Sequence, residues 1–307
     1  MAVAAAPVFV TGAAGFLGRR YVEIAAGRRP ATPFRLLQHR RPLTDLPPNA
    51  VVATGDLEDR TSLATALAGV DTIVHFAGVT HADAAAAYLR VNRDGTAALV
   101  AAARAVGIRR FVLISSRAAH AACGDYGASK LAGEEVVTSG GVPWVVLRLA
   151  EVYGAGATEG LNALIGVVRR FPVVPYPAGP IRFAPLFLDD AVDAIDASTG
   201  AAAALGRTYT IAGPDTYGFS DLIAAIARGL GRRRVALPIP LGMLEATVRV
   251  ASAFGHPLAR GDQIARMTCA KDVDIEPARR DLGFVPASLD EGLRRAGLTP
   301  QIRPSTR

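Results

Sequence analysis

Hydrophobic and polar positions alternate along the chain in one recurring order: a short apolar run, a break of glycines or polar residues, then a longer stretch with apolar residues at helical spacing. Pro7-Val8-Phe9-Val10 reads as a buried strand, and Phe16 to Ala26, with Leu17, Tyr21 and Ile24 on one face, as an amphipathic helix. Phe34 to Gln38, Val51 to Thr54, Thr72 to Phe76 and Phe111 to Ile114 read as four further strands. A long helical pattern runs from about Ala82 to Ala105, and another helix carries Tyr126 and runs to about Val137. Thr208 to Ile211 reads as a strand returning to the main sheet, and Asp221 to Leu230 and Leu241 to Phe254 as helices. This alternation predicts an α/β fold, a Rossmann-type doubly wound parallel sheet with helices on both faces. Turns at Phe171-Pro172, Pro175-Tyr176-Pro177 and Gly179-Pro180 interrupt it and predict a smaller C-terminal substrate-binding lobe. The expected division is a dinucleotide-binding domain over 1–156, joined by 184–212, with 157–183 and 213–307 forming the lobe.

Composition narrows the setting. Half of the 307 residues are hydrophobic, enough for a sizeable core. No segment approaches about 18 uninterrupted apolar residues; Val235 to Phe254 comes nearest, broken by Pro238, Pro240, Glu245 and Arg249. The start has no basic region of the signal-peptide kind, so the expectation is a cytoplasmic protein with no membrane partner. Cys123 and Cys269 are too few for a disulfide framework or a zinc cage, which fits a reducing compartment and no bound metal. The net charge of +7 is carried by arginine, Lys130 and Lys271 being the only lysines. The basic residues fall in scattered pairs without interleaved aromatics, which argues against nucleic acid and is compatible with an anionic small molecule.

The candidate chemistry begins at Thr11-Gly12-Ala13-Ala14-Gly15-Phe16-Leu17-Gly18, between the first strand and the first helix. Gly12 permits a tight turn, Gly15 lets backbone approach a pyrophosphate, and Gly18 lets helix pack on strand. The free N–H groups of the helix start, with its dipole, suit an anion. About 20 residues on, where a dinucleotide fold reads the adenosine ribose, stand His39, Arg40 and Arg41, with no carboxylate until Asp45. That favours NADP over NAD. Asp56 and Leu57 follow the third strand, Asp56 either accepting from an adenine or capping the helix that Asp59 begins. Phe76, Ala77 and Gly78 would let backbone lie against a cofactor. Asn92 lies within a helical pattern and is either paired or exposed, because a buried unpaired amide is costly. Ser115 and Ser116 end the fifth strand on the edge where ligands sit in such sheets. Tyr126 and Lys130, four apart, share one helical face.

These pieces together resemble the extended short-chain dehydrogenase/reductase superfamily, in its NAD-dependent epimerase/dehydratase family. The glycine turn, Gly55-Asp56-Leu57, His75-Phe76-Ala77-Gly78, Val91-Asn92, Ser115-Ser116, Tyr126 with Lys130, and Arg148 to Gly154 carry the likeness, as do Leu186 to Asp190 and Arg280 to Leu289. The resemblance implies hydride transfer between a nicotinamide and a carbinol or carbonyl carbon, with Ser116, Tyr126 and Lys130 as the catalytic set. Tyr126 would move the proton, Lys130 would lower its pKa and hold the nicotinamide ribose, and Ser116, with Ser115 as its second, would hold the substrate oxygen. Implied cofactor contacts also include Ala14, Phe16, Leu17, Asn92, Ser115, Tyr126, Leu149 and Val152. Implied substrate contacts are Val79, Ser116, Arg117, Glu151, Asn162 and Arg182.

The chain departs from the family pattern in two places. Nine residues separate Ser116 from Tyr126, and Arg117-Ala118-Ala119-His120 replaces the usual Val-Tyr-Gly. Three readings follow. One is epimerase or dehydratase chemistry on a nucleotide-sugar-like substrate, and another, favoured by the short loop and the Arg40-Arg41 pair, is an NADPH-dependent reductase of a small carbonyl compound. The last is a non-catalytic assembly protein similar to the accessory subunit of respiratory complex I, against which Ser116, Tyr126 and Lys130 argue. The resemblance also implies a homodimer through helices around Ala97–Ala105 and Lys130–Val137.

Overall fold

The computed structural model describes residues 6–156, 159–240, 242–243 and 261–299. Strand β1 (Val8–Thr11) is buried at all four positions, the mark of a strand covered on both faces. It pairs in parallel with β2 (Phe34–Gln38) on one side and β4 (Thr72–His75) on the other, and β3 (Ala50–Thr54) extends the first edge. Strands β5 (Arg110–Ser116) and β6 (Trp144–Leu149) extend the second edge. Beyond them, β7 (Val152–Tyr153) pairs with β10 (Leu186–Phe187), and the short β9 (Arg182–Phe183) lies between β8 (Val173–Ala178) and β10 in the chain. β11 (Arg207–Ile211) then returns to the main sheet beside β6, giving the order β11-β6-β5-β4-β1-β2-β3, all parallel. β12 (Tyr217–Gly218) pairs with β9 and β13 (Val235–Pro240) with β8.

Parallel neighbours need crossover connections, and the helices that supply them form the two outer layers. α1 (Phe16–Arg28) lies on one face; α2 (Arg60–Ala66), α3 (Ala85–Leu89), α4 (Thr96–Val106) and α5 (Gly124–Ser139) follow in the chain. Leu63, Leu99 and Val137 of α2, α4 and α5 fill one core with Phe9, Ile73 and Phe111. On the opposite face Tyr21 and Ala25 of α1 meet Ala191 and Ile195 of α7 (Leu188–Gly200). A third core joins α6 (Leu161–Arg170) to α8 (Phe219–Gly229), where Leu161, Ile165 and Val168 meet Leu222, Ile223 and Ile226. α9 (Gly261–Thr268), α10 (Glu276–Leu282) and α11 (Leu289–Arg295) end the described chain.

Many arginines serve the packing. Arg20 of α1 holds Asp189 of α7 with two bonds of 2.7 and 2.9 Å, and Arg29 reaches Asp196 at 2.6 Å. Arg110 donates to the carbonyls of Ser198 and Ala201. Asp190, 3% exposed, accepts from the Ala287 amide at 2.7 Å and pairs with Arg295 at 2.9 Å, fastening the last segment to the helix Leu188–Gly200. No described helix is long and apolar enough to cross a membrane.

Two expectations need amendment. The long helix begins at Ala85 and runs to Val106, and its middle, Arg90–Gly95, is a π-helical turn. Cys123 and Cys269 are not free thiols but are bonded to each other, their Cα atoms 5.3 Å apart. Residues 146 apart in sequence are brought together by the packing of α9 against α5, a juxtaposition that spacing does not reveal. The helix read over Leu241–Phe254 lies outside the described residues.

Candidate active site

The carboxyl ends of the parallel strands open onto a cleft of about 600 Å3, lined by Gly12, Gly15, His39, Asp56, Phe76 and Gly78 among others. Strand order reverses between β1 and β4, and crevices of this fold lie at that point. Gly12 has φ +72, and a Cβ there would meet the Ala77 amide nitrogen at 2.6 Å, so the turn and the facing loop both require glycine. A Cβ on Gly18 would collide with the Gly12 carbonyl oxygen. Helix α1 starts at Gly15 with no side-chain cap and no acidic residue in its first turn, leaving its N-terminal N–H groups and positive end for an anion. The cradle therefore fits a dinucleotide pyrophosphate.

At the adenosine end His39 Nε2 lies 3.0 Å from Asp56, while Asp59 caps α2 by accepting from Thr61 and Ser62. Asp56 does not cap α2; it pairs with His39, accepts from the Glu58 amide at 3.2 Å and lines the cleft with Leu57. Arg40 and Arg41 line the same rim, and Arg41 shares a neighbouring groove with Arg19, a residue the sequence reading did not single out.

Asn92 is buried in the π-helical turn and fully used. It accepts from the Val79 amide (2.9 Å) and donates to the Val79 carbonyl (3.1 Å) and the Ser129 hydroxyl (2.9 Å). One side chain thereby fixes the loop after β4 to the helix that carries Tyr126. A Cβ on Gly78 would lie 2.9 Å from Asn92 Oδ1 and 3.9 Å from Lys130 Nζ, which puts both groups beneath the same stretch of cleft.

Ser115 and Ser116 point to opposite faces, as alternation along a strand demands. The Ser115 hydroxyl donates to buried Glu134, which also binds Arg148 at 2.6 Å. Ser115 thus ties β5 to α5, whose Glu134 also reaches β6 through Arg148, and its hydroxyl is not placed as a second for Ser116. Ser116 accepts from the Ala118 amide at 3.1 Å and lines the same pocket as Tyr126. Burial pushes the Tyr126 hydroxyl above its ordinary value, opposed by the neighbouring Ser116 hydroxyl and by the Arg266 guanidinium. Lys130 donates to the Ile114 carbonyl at 2.8 Å, and burial brings its own ammonium down to about 8.

Beside Ser116 and Tyr126 a second pocket, about 300 Å3, is walled by Leu161, Leu164, Phe183 and Phe219 on the lobe side. Its charged wall centres on Glu151, held by Arg117 at 2.6 Å and Lys271 at 3.2 Å and accepting from the Ala184 amide. Burial would raise the Glu151 carboxyl, but Arg117 and then Lys271 outweigh it and hold it below the usual carboxylate range. Arg117 Nε is buried without an acceptor. Leu149 lines this pocket, whereas Val152 packs against the core in β7. Asn162 accepts from the Gly154 amide at 3.2 Å, and Arg182 is exposed on β9, outside the pocket lining. Phe183, Phe219, Arg266 and Lys271 were not foreseen, because they arrive from distant segments with no motif of their own.

A family model described as the NAD dependent epimerase/dehydratase family matches residues 8–212. The chain belongs to the NAD-dependent epimerase/dehydratase family. The match spans β1 to the residue after β11, the whole sheet that bears the cleft, and the motif resemblance and doubly wound fold are confirmed. This family member is 38% identical over 191 residues to a ceramide reductase of Caulobacter vibrioides, 60% of this chain and 58% of that protein. It is 23% identical over 318 residues to the UDP-glucose 4-epimerase of Vibrio cholerae, covering 94% and 93%. A dTDP-glucose 4,6-dehydratase of Streptomyces venezuelae, solved with NAD bound, superposes with a TM-score of 0.75 at 22% identity, over 94% of this chain and 95% of that one. The family member is an NAD(P)-dependent enzyme of the extended short-chain type, which sets aside the reading of a non-catalytic assembly protein.

Proposed function

We propose that the enzyme is an NADPH-dependent reductase of a ketone borne on a largely apolar, amphipathic molecule. The observation that carries this is the basic rim at the end of β2, where Arg40 and Arg41 face the adenosine end of the cleft and Arg19 borders the adjoining groove. A 2′-phosphate needs cations there, and a reductant drawn from the cell's NADPH must bind and leave at each turnover. The apolar lobe wall supports an apolar substrate, as does the similarity to a ceramide reductase. A nucleotide-sugar substrate would look to Asn162 and Arg182, neither of which lines the pocket beside Tyr126.

When bound, the dinucleotide supplies the hydride. Its pyrophosphate would lie on the first turn of α1 and its nicotinamide ribose near Lys130 and Gly78. Ser116 holds the substrate carbonyl oxygen and orients it toward Tyr126. Tyr126 gives its hydroxyl proton to that oxygen as the carbon is reduced, so the ketone gains a hydride and a proton and becomes an alcohol. A hydroxyl kept protonated by burial suits a proton donor. Asn92 keeps the loop after β4 and α5 in register while this happens. The homodimer that the resemblance implies would use the outer faces of α4 and α5.

The test is cofactor choice with turnover. Replacing Arg40 and Arg41 together by Ala is expected to raise the Kd for NADPH roughly 10- to 150-fold, the worth of about 1.5–3 kcal/mol of charged hydrogen bonds, and to leave the Kd for NADH within about threefold. Wild-type protein is expected to oxidise NADPH stoichiometrically with a long-chain ketone. Tightly retained NAD, released only on denaturation and accompanied by sugar epimerisation, would sink the reductase reading.

A further inference from the structure

Tyr126 is approached by cations from two elements. Lys130, on its own helix, is turned to the Ile114 carbonyl. Arg266, on α9, has its guanidinium carbon 4.8 Å from the centroid of the Tyr126 ring. Its Nη1 donates to the Thr80 carbonyl at 3.2 Å, which anchors the group at its other end. Other described neighbours include Ser116 from β5 and Tyr88 from α3, whose ring stands edge-on at 6.0 Å. Arg117, Glu151 and Lys271 line the same pocket, but there Glu151 engages both cations.

The covalent bridge is placed to fix this contact. Cys123 stands three residues before Tyr126 and Cys269 three residues after Arg266, so the two bonded sulfurs lie about one helical turn from the two interacting side chains. Helix α9 cannot drift from α5 while the bridge is intact.

We propose that Arg266 is a positioning residue acting through Tyr126: held by the Cys123–Cys269 bridge, it seats the ring and favours the phenolate formed when the proton is delivered. This rests on Tyr126 being the proton donor. A cation near an aromatic face attracts the neutral ring, and it attracts a phenolate more strongly, so its benefit grows as the proton leaves. The Arg266 charge already opposes the upward push of burial on the Tyr126 hydroxyl.

The experiment is an ultraviolet titration of phenolate in the cofactor-free protein, with the Tyr126→Phe signal subtracted to isolate Tyr126. In Arg266→Met the Tyr126 midpoint is expected about one pH unit higher than in wild type, a tenfold change in its dissociation constant. Arg266→Lys should recover part of that, and the alkaline limb of kcat should move in parallel. Arg266→Gln serves the same purpose if the Met variant does not fold. An unmoved midpoint in the charge-removing variant overturns the proposal, and a raised KM with that unmoved midpoint makes Arg266 a substrate contact instead. If Tyr126→Phe keeps full turnover, the assignment of Tyr126 fails, while the titration still decides whether Arg266 and Tyr126 are coupled.

Discussion

Tyr126→Phe is expected to lower kcat for ketone reduction by about 10²- to 10⁴-fold, the usual worth of a positioned proton donor, with KM changed little. The substitution removes one oxygen and keeps the ring that packs against Tyr88 and lies beside Arg266, so the fold and its melting temperature should persist. Ser116 and Lys130 stay in place, yet neither can deliver the proton along the same path. Because burial holds the Tyr126 hydroxyl above its ordinary value, the wild-type reduction rate should stay flat through neutral pH and fall only on the alkaline side. Steady-state rates of NADPH oxidation across pH for the two proteins check both points, and a kcat within threefold of wild type would remove Tyr126 from the chemistry.

Acid should destabilise the protein through His75. This ring is fully buried at the end of β4, with Nδ1 2.6 Å from the Thr11 hydroxyl and Nε2 3.0 Å from the Thr96 hydroxyl. Burial, helped by the Lys130 charge, takes its pKa down to about 3. In the unfolded chain the ring takes a proton below about pH 6.5, whereas the folded protein keeps it neutral down to about pH 3. Between those values the unfolded state binds more protons, so stability is full above pH 6.5 and is lost as pH falls. The loss from this one group is about 2 kcal/mol at pH 5 and approaches about 5 kcal/mol near pH 3. Urea midpoints from pH 7.5 to 5 for wild type and His75→Gln measure it. The variant starts lower at neutral pH but should decline less steeply, and equal slopes would show that His75 is not the sensitive group.

Local rules made much of this molecule legible before folding was considered. Gly12, Gly15 and Gly18 announced the turn because Gly12 takes a positive φ and Gly15 and Gly18 keep a side chain away from the Gly12 carbonyl within seven residues, and Tyr126 and Lys130 share a face by helical geometry alone. Ser116 could be placed because a strand end is visible in the hydrophobic pattern. What escaped was assembled from afar. Arg266, Lys271 and the Cys123–Cys269 bridge reach the site only through the packing of α9 on α5, and no local period encodes that contact. The direction of a side chain was equally hidden: adjacent serines look alike in sequence, but the strand sends Ser115 to Glu134 and Ser116 to Tyr126. The π-helical turn at Asn92 was read as plain helix because one extra residue per turn leaves the apolar spacing nearly unchanged.

The scarcity of lysine gives the protein an unusual chemical face. Its two lysines, Lys130 and Lys271, both belong to the site, and the Lys271 side chain is 8% exposed. With an ammonium near pKa 8, about one Lys130 in ten is a free amine at neutral pH, against roughly one in three thousand for an ordinary lysine. An acylating reagent therefore finds no lysine on the outer surface, and Lys130, an unusually free amine, lies under the cleft. Mass spectrometry after brief acylation would read out occupancy of that cleft directly, a bound dinucleotide being expected to shield Lys130.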